Sequence, residues 1–383
     1  MINLAKKDIE HALGKFIVTA MGVGMLLGIV LIMIGVYRGM IVDAKVLLND
    51  LDVDLWVVQE NTLGPFAEAS RVHEDLKNAV RAIDGVKKSA GLTFQNLQLP
   101  HKDKPVRVTA VGFDPFGSVD PINPARIVMG QGLTRSHYQI VVSDKTGFKL
   151  GEKIPLGRNE YTVVGITHGT VSSGGDPLVY VSLKDAQQLQ FSYSNTRIRS
   201  DRARGIADAS TQMPMVNAVV ATVRKGYRLN EVAHNIENAL HKSVYTKEAQ
   251  TFILTKNLIE RASKQIGMFT GILVIVSTII IALIIYTMTL EKMKEISIMK
   301  LIGIPNSMII KMIVQETMLL GFLAFIFGNV FAHLIYGKFP KRVVLLLPDA
   351  WGLFLVVIVV SILASFIGVK KVINADPAAA IGG

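Results

Sequence analysis

The chain alternates between two kinds of pattern. Phe16 to Tyr37 is a 22-residue run without a single charge, and three more long apolar blocks, Ile266 to Leu290, Met312 to Tyr336 and Trp351 to Val369, follow only after residue 265. An α-helix needs about 20 apolar residues to cross about 30 Å of hydrocarbon, so each block predicts a membrane-spanning helix. The third carries one carboxylate, Glu316, near its start. Lys6, Lys7 and Lys15 before the first block imitate a signal peptide. Its apolar part exceeds the usual stretch of about 7 to 15 residues, however, and no A-x-A site follows, so the pattern predicts an uncleaved anchor.

Residues 38–264 lack such blocks and read as a folded domain whose two ends look alike. Near the start, a strand-like run Val53 to Val58 precedes Val72, Leu76, Ala79, Val80 and Ile83 at helical spacing, with Ser70 as the expected N-cap and Gly85 as the stop. Near the end, Val216 to Val223 is strand-like. Leu229, Val232, Ala233, Ile236 and Leu240 then follow helical spacing behind Asn230 as a cap, and Val244 to Leu254 reads as extended. Two β-α-β units of this kind, 38–115 and 215–264, predict a split α+β layer. Between them, 116–214 has short alternating or apolar runs (Gln139 to Val142, Tyr161 to Ile166, Leu178 to Val181) separated by turns such as Gly174-Gly175-Asp176-Pro177, which predicts a β-rich insertion. The predicted fold class is thus an α-helical membrane protein with an extracytoplasmic α+β domain, in the order one span, domain, three spans.

Charge changes the picture mainly by setting orientation. The net charge is +11. Residues 38–264 hold 29 Lys+Arg against 23 Asp+Glu, and the rest holds 12 against 7, so no basic arm points to nucleic acid. Lys6, Lys7, Lys15, Lys292, Lys294, Lys300, Lys311, Lys370 and Lys371 would share one side of the membrane, and only Lys338, Lys341 and Arg342 lie in the opposite short loop. The positive-inside rule then puts residues 1–15 and 370–383 in the cytoplasm and 38–264 outside, as for a multi-pass protein of a bacterial inner membrane. Closely spaced Arg197, Arg199, Arg202 and Arg204 sit in a polar stretch that reads as a solvated loop.

Candidate chemistry is sparse. The absence of Cys excludes disulfides, thiolate zinc sites and thiol redox steps. There is no G-x-x-x-x-G-K-[ST] phosphate loop, no H-E-x-x-H and no G-x-S-x-G, so no catalytic or metal residues are assigned. Met, His and Tyr that could ligate haem are present without a clustered axial pattern. What remains is mechanical. Ala20, Gly24 and Gly28 form a small-residue stripe suited to close helix packing. Leu258, Ile259 and Ala262 continue the second span outward as an amphipathic stalk.

The segment 291–311 between the second and third spans carries the most specific signal. Glu291, Lys292, Lys294, Glu295 and Lys300 supply charge, Ile296, Met299 and Ile302 are assigned to one helical face, and Gly303-Ile304-Pro305 breaks the helix. A short amphipathic helix of this kind is either a docking element or an interfacial helix, and composition does not choose.

The run Lys294-Glu-Ile-Ser-Ile-Met-Lys-Leu-Ile-Gly303, with Glu316, Gly321 and Asp376-Pro377-Ala378 beyond it, resembles the permease domain of the FtsX/MacB superfamily of ABC transporters. Met299-Lys-Leu-Ile-Gly-Ile-Pro305 and Val111-Gly-Phe-Asp-Pro115 resemble the DevC-type permeases in particular. Many superfamily members have Arg where Lys294 and Lys300 stand and Ala at Leu301. The resemblance implies a type VII ABC-like permease that is not itself an enzyme. It implies two copies working with two copies of a separate ATPase that binds MgATP, with Glu291, Lys294, Glu295, Ile296, Met299, Lys300, Ile302 and Gly303 as the coupling surface. ATP-driven motion would pass through the stalks to the outer domain, which in this group meets a periplasmic adaptor and an outer-membrane channel. Cargo in the group ranges from glycolipids to small toxic molecules and peptides. Two further readings share the layout or its anchoring: a non-transporting regulator of a cell-wall hydrolase or lipoprotein-releasing complex, and a membrane receptor without an ATPase.

Overall fold

A computed structural model of the chain describes residues 13–101, 104–157, 159–192, 214–256, 260–339 and 341–373. It divides into two compact units, one formed by residues up to Gly39 and from Ala262, the other by Met40–Arg261.

The first unit holds the apolar helices. The elements concerned are α1 (Leu13–Asp50), which belongs to both units, and, after the α/β domain, four helices described with it below. Four segments, Leu13–Asp50, Ala262–Glu291, Asn306–Lys338 and Leu347–Phe366, are long and apolar enough to cross a membrane. The first helix is far longer than the expected 16–37, because Arg38, Asp43, Lys45 and Asp50 end the apolar run without breaking the helix, and no Gly-Pro or capping signal intervenes before Asp50.

The α/β unit is built on β1 (Leu55–Val58), β2 (Val72–His73), α2 (Leu76–Ala82), β3 (Val86–Leu99), β4 (Val106–Phe113), β5 (Ile127–Gly130), β6 (Gln139–Ser143), β7 (Lys153–Leu156), β8 (Asn159–Thr167), β9 (Leu178–Ser182), α3 (Leu183–Ser192), β10 (Met215–Val216), β11 (Ala218–Val223), α4 (Leu229–Leu240), β12 (Ser243–Thr246) and α5 (Lys247–Leu254). Strands β12-β1-β11-β3 are neighbours in that order. With α2 and α4 as the connections, this is the split β-α-β arrangement. Strand β1 is apolar and buried at every position, and β11 from Ala218 to Ala221, because both faces are covered there. Leu55 and Val57 join Val219, Ala221, Val80, Val232 and Ile236 in a core under the helices, and Trp56 and Val58 join Val220, Leu92, Phe113 and Leu254 on the opposite face.

The insertion does not form a sheet of its own. Strand β3 is 14 residues long, and its first half pairs with β11 while Thr93–Leu99 pairs with β4. Strand β4 then runs parallel to β9, which carries β6, β8, β5 and β7 into one ten-stranded sheet. A third core, including Leu97, Val108, Ile140, Val163 and Val179, fills this end.

Three local expectations change. Val72 and His73 pair with Val216 and Met215 as strands, so the helix starts only at Leu76, and Ser70 accepts a hydrogen bond from the Gln59 N–H (3.0 Å) instead of capping it. Arg228, not Asn230, is the N-cap of α4. The run from Val244 is extended only to Thr246, whose hydroxyl accepts from the Ala249 N–H (3.2 Å) and starts α5.

The remaining helices are α6 (Glu260–Glu291), α7 (Met293–Leu301), α8 (Asn306–Ile335) and α9 (Leu347–Ile373). Helices α8 and α9 pack closely where Gly321 faces Val357 and Ser361, and Phe325 and Trp351 surround Phe354 at ring distances of 5.1 and 5.7 Å.

Candidate functional site

The segment joining α6 to α8 has a definite geometry. Helical hydrogen bonding continues through Lys292, whose N–H donates to Met288 and whose carbonyl accepts from Ile296 (2.9 Å), so α7 prolongs α6 with only a slight irregularity. The helix stops for a backbone reason. Gly303 is left-handed (φ 91°), its N–H donates to the Lys300 carbonyl (3.1 Å), and the Ile304 N–H donates to the Met299 carbonyl (3.0 Å). That pair of bonds is the Schellman motif, which favours glycine at this position. Pro305 follows as the N-cap of α8, so residues 306–311, expected in the connecting segment, are the first two turns of that helix.

Exposure divides the expected coupling face. Ile296 is only 1% exposed and Met299 is half-buried, whereas Ile302 is 75% exposed. A step of three residues advances about 300°, so two steps carry Ile302 about 120° away from Ile296. The assignment of Ile296 to an outward docking face is corrected accordingly. The apolar side chains that do point outward are Ile298, Leu301 and Ile302 (49%, 61% and 75% exposed), at the i, i+3, i+4 spacing of a single face. Glu291, Lys294 and Glu295 are exposed beside them, and Lys300 is half-buried. Glu291 accepts a hydrogen bond from Lys15 (2.6 Å), a pair more than half exposed on both sides and therefore weak.

No spacing or motif points directly to the pair that anchors this segment. Lys292 Nζ lies 3.1 Å from Glu316 Oε1, with side chains 15% and 8% exposed. A carboxylate inside an apolar helix is costly unless paired, and that cost was the available signal.

The small-residue stripe lies at a helix crossing. Ala20 is fully buried, and Gly24 and Gly28 face α8. A Cβ on Gly24 would sit 2.7 Å from the Ala324 carbonyl oxygen, and one on Gly28 would sit 2.8 Å from that of Gly328. Gly328 is the reciprocal small residue, 2.6 Å from the Gly24 carbonyl by the same measure. The stripe extends further than the sequence reading took it. Gly35 lies two turns beyond Gly28, and Gly35 and Gly39 meet the chain at Arg342–Leu345, with the Val344 N–H donating to the Gly35 carbonyl (3.0 Å). Arg38 then binds both carboxylate oxygens of Asp349 (3.1 and 2.9 Å), a bidentate contact between residues 311 apart in sequence. Of the expected stalk residues, Leu258 and Ile259 lie outside the described residues, and Ala262 is half-buried in α6.

In the α/β unit the polar clusters are structural ties. Fully buried Asp185 is 2.8 Å from His137 Nδ1 and accepts from the Tyr138 N–H (2.9 Å), holding the turn before β6 against α3. Burial pushes the Glu74 carboxyl up, but hydrogen bonds from Lys77 and Gln187 more than offset this and leave it below the ordinary glutamate value. Among the described residues no group of three or more His, Asp or Glu is arranged to hold a metal.

Four helices long and apolar enough to cross a membrane, one before and three after a split α/β domain in the chain, are the pattern of a membrane protein of the ABC-permease class. The model of the MacB-like periplasmic core domain matches residues 16–239, more than half of the chain, and that of the FtsX-like permease C-terminal region matches 267–377. The chain belongs to the FtsX/MacB superfamily of ABC transporter permeases. An uncharacterized ABC transporter permease of Mycobacterium tuberculosis (strain H37Rv) is 23% identical over the full length of both chains. A protein of Staphylococcus epidermidis (strain ATCC 12228), named as a hemin transport system permease, HrtB, is 22% identical over 100% of this chain and 99% of its own. Among solved structures, the periplasmic region of MacB from Actinobacillus actinomycetemcomitans aligns with a TM-score of 0.35 at 8% identity, over 52% of this chain and 92% of that one.

Proposed function

We propose that this chain is the permease subunit of an ABC-type exporter and that it passes the motion of a separate ATPase to its α/β domain. In this reading α7 and both chain ends are cytoplasmic, the α/β domain is periplasmic, and MgATP is bound and hydrolysed only in the partner. The observation that carries the reading is the outward apolar face of Ile298, Leu301 and Ile302 on a helix stopped by Gly303, placed between two membrane-crossing helices. An interfacial helix would spread its apolar residues along its length to lie on lipid. Here they gather toward the C-terminal end, with Lys294 and Glu295 exposed nearby, as suits insertion into a protein pocket with a polar rim.

Replacing Leu301 and Ile302 together with Asp is expected to abolish co-purification with the ATPase while membrane insertion stays intact. Unchanged complex formation would sink the reading. The permease works as two copies with two ATPase subunits, and an adaptor with an outer-membrane channel completes the export path. The HrtB-named relatives favour a second reading of the cargo, a haem-like tetrapyrrole. A deletion strain with unaltered resistance to haem would remove it.

A further inference from the structure

The buried ion pair in the membrane unit is left without a role by the coupling reading alone. Lys292 stands where α6 passes into α7, ten residues before Ile302, and Glu316 lies ten residues into α8. Ten helical residues rise about 15 Å, so the chain runs down α7 and back up α8 over matching lengths. The turn Gly303-Ile304-Pro305 is at one end, and the Lys292–Glu316 contact, 3.1 Å and largely shielded, is at the other. The two charged groups therefore close the base of a helical hairpin. Its tip carries the exposed Leu301 and Ile302, and Ile296, one turn from Lys292, is buried.

We propose that Lys292 and Glu316 are positioning residues that latch this base and so set the direction in which the tip faces its partner. A latch at the base acts on the tip through the length of the hairpin, so a small shift of α8 at Glu316 becomes a larger displacement at Ile302. The chemistry suits a latch. A shielded Lys–Glu pair has few substitutes in an apolar surrounding, and losing either member removes the 3.1 Å tie that joins the start of α7 to α8 at this level. The proposal deepens the coupling reading, but its first test needs no partner protein.

The chain has no Cys, so single cysteines report position directly. In the full-length protein in detergent, Ile296→Cys is expected to react slowly with N-ethylmaleimide and Ile302→Cys rapidly. Adding Glu316→Met, or the near-isosteric Glu316→Gln should the first variant fail to insert, is expected to raise labelling at Ile296→Cys at least tenfold. The buried control Ile281→Cys in α6 should stay slow, which separates release of the hairpin from general unfolding. The reversed pair Lys292→Glu with Glu316→Lys should bring labelling at 296 back toward the parent rate. Unchanged labelling at 296 in the Glu316 variants, or an equal rise at 281, overturns the latch. In a second arm, the ABC ATPase that co-purifies with the parent chain should bind Glu316→Met about tenfold more weakly. Failure of the parent chain to bind any ATPase would overturn the coupling reading and leave the labelling result to decide the latch, whereas equal binding by parent and variant would overturn the latch's role in docking alone.

Discussion

At the scale of single residues, Gly303 shows how backbone chemistry decides a surface. Its φ of 91° and the two Schellman hydrogen bonds stop the helix directly after Ile302, whose N–H still donates to the Ile298 carbonyl (3.0 Å), so the face of Ile298, Leu301 and Ile302 is the last one the helix presents. No side chain crowds the position, since a Cβ built there meets nothing within 4 Å, and the penalty for substitution is purely conformational. A left-handed conformation costs an ordinary L-residue about 1–2 kcal/mol. Gly303→Val should therefore reduce ATPase co-purification clearly, whereas Gly303→Asn, which tolerates this region, should reduce it only slightly. Equal behaviour of the two variants in a pull-down titration would show that the left-handed turn is unimportant to the docking face.

Elements meet according to rules that the sequence states only in part. The stripe Ala20, Gly24, Gly28 was legible as a packing face because period four marks one side of a helix, but its partner was not. Gly328 stands at period four between Ala324 and Ala332, a matching small-residue stripe on α8, but nothing local pairs that stripe with Gly24 rather than with another helix. The same limit explains the other differences. Apolar runs revealed the four long helices because a membrane demands length, and short alternating or apolar runs bounded by turn residues revealed β6, β8 and β9, of which β6 and β9 are buried nearly throughout. The start of α2 was misplaced because Val72 takes its conformation from Met215–Val216, over 140 residues away. Arg38 with Asp349 and Lys292 with Glu316 are likewise joined by the fold and not by spacing. The α1–α8 crossing makes a clean prediction. Gly24→Leu puts a side chain where a Cβ alone approaches the Ala324 carbonyl and Phe327, so the helices must separate. Gly22→Leu, two residues away on the same helix, meets open space. Thermal unfolding in detergent should fall by several degrees for the first and change little for the second. Equal effects would mean that the crossing does not hold the unit together.

For the whole molecule, the proposed coupling to an ATPase requires an element that would carry motion to the α/β domain. Helix α1 contributes residues to both units and runs from Leu13 to Asp50 without a proline, and its last turn enters the α/β core through Leu47 and Leu48, followed by Leu51 just beyond the helix. A helix transmits force only while its hydrogen-bond ladder is continuous, and a proline in the interior removes one bond and introduces a clash costing about 3 kcal/mol or more. Val42 is the informative place for one. It lies just past the boundary at Gly39 and Met40, and at 40% exposure it contributes little to either core, so the damage falls on continuity more than on packing. If α1 is a transmitting rod, Val42→Pro should leave insertion and ATPase binding near the parent level and should leave ATP hydrolysis running, while transport falls at least tenfold. Val42→Ala, which keeps the ladder, should transport normally. Loss of hydrolysis together with transport would place the fault in assembly. Normal transport by Val42→Pro, measured in proteoliposomes or as resistance in cells, would remove α1 from the path of the motion and leave α6 to carry it alone.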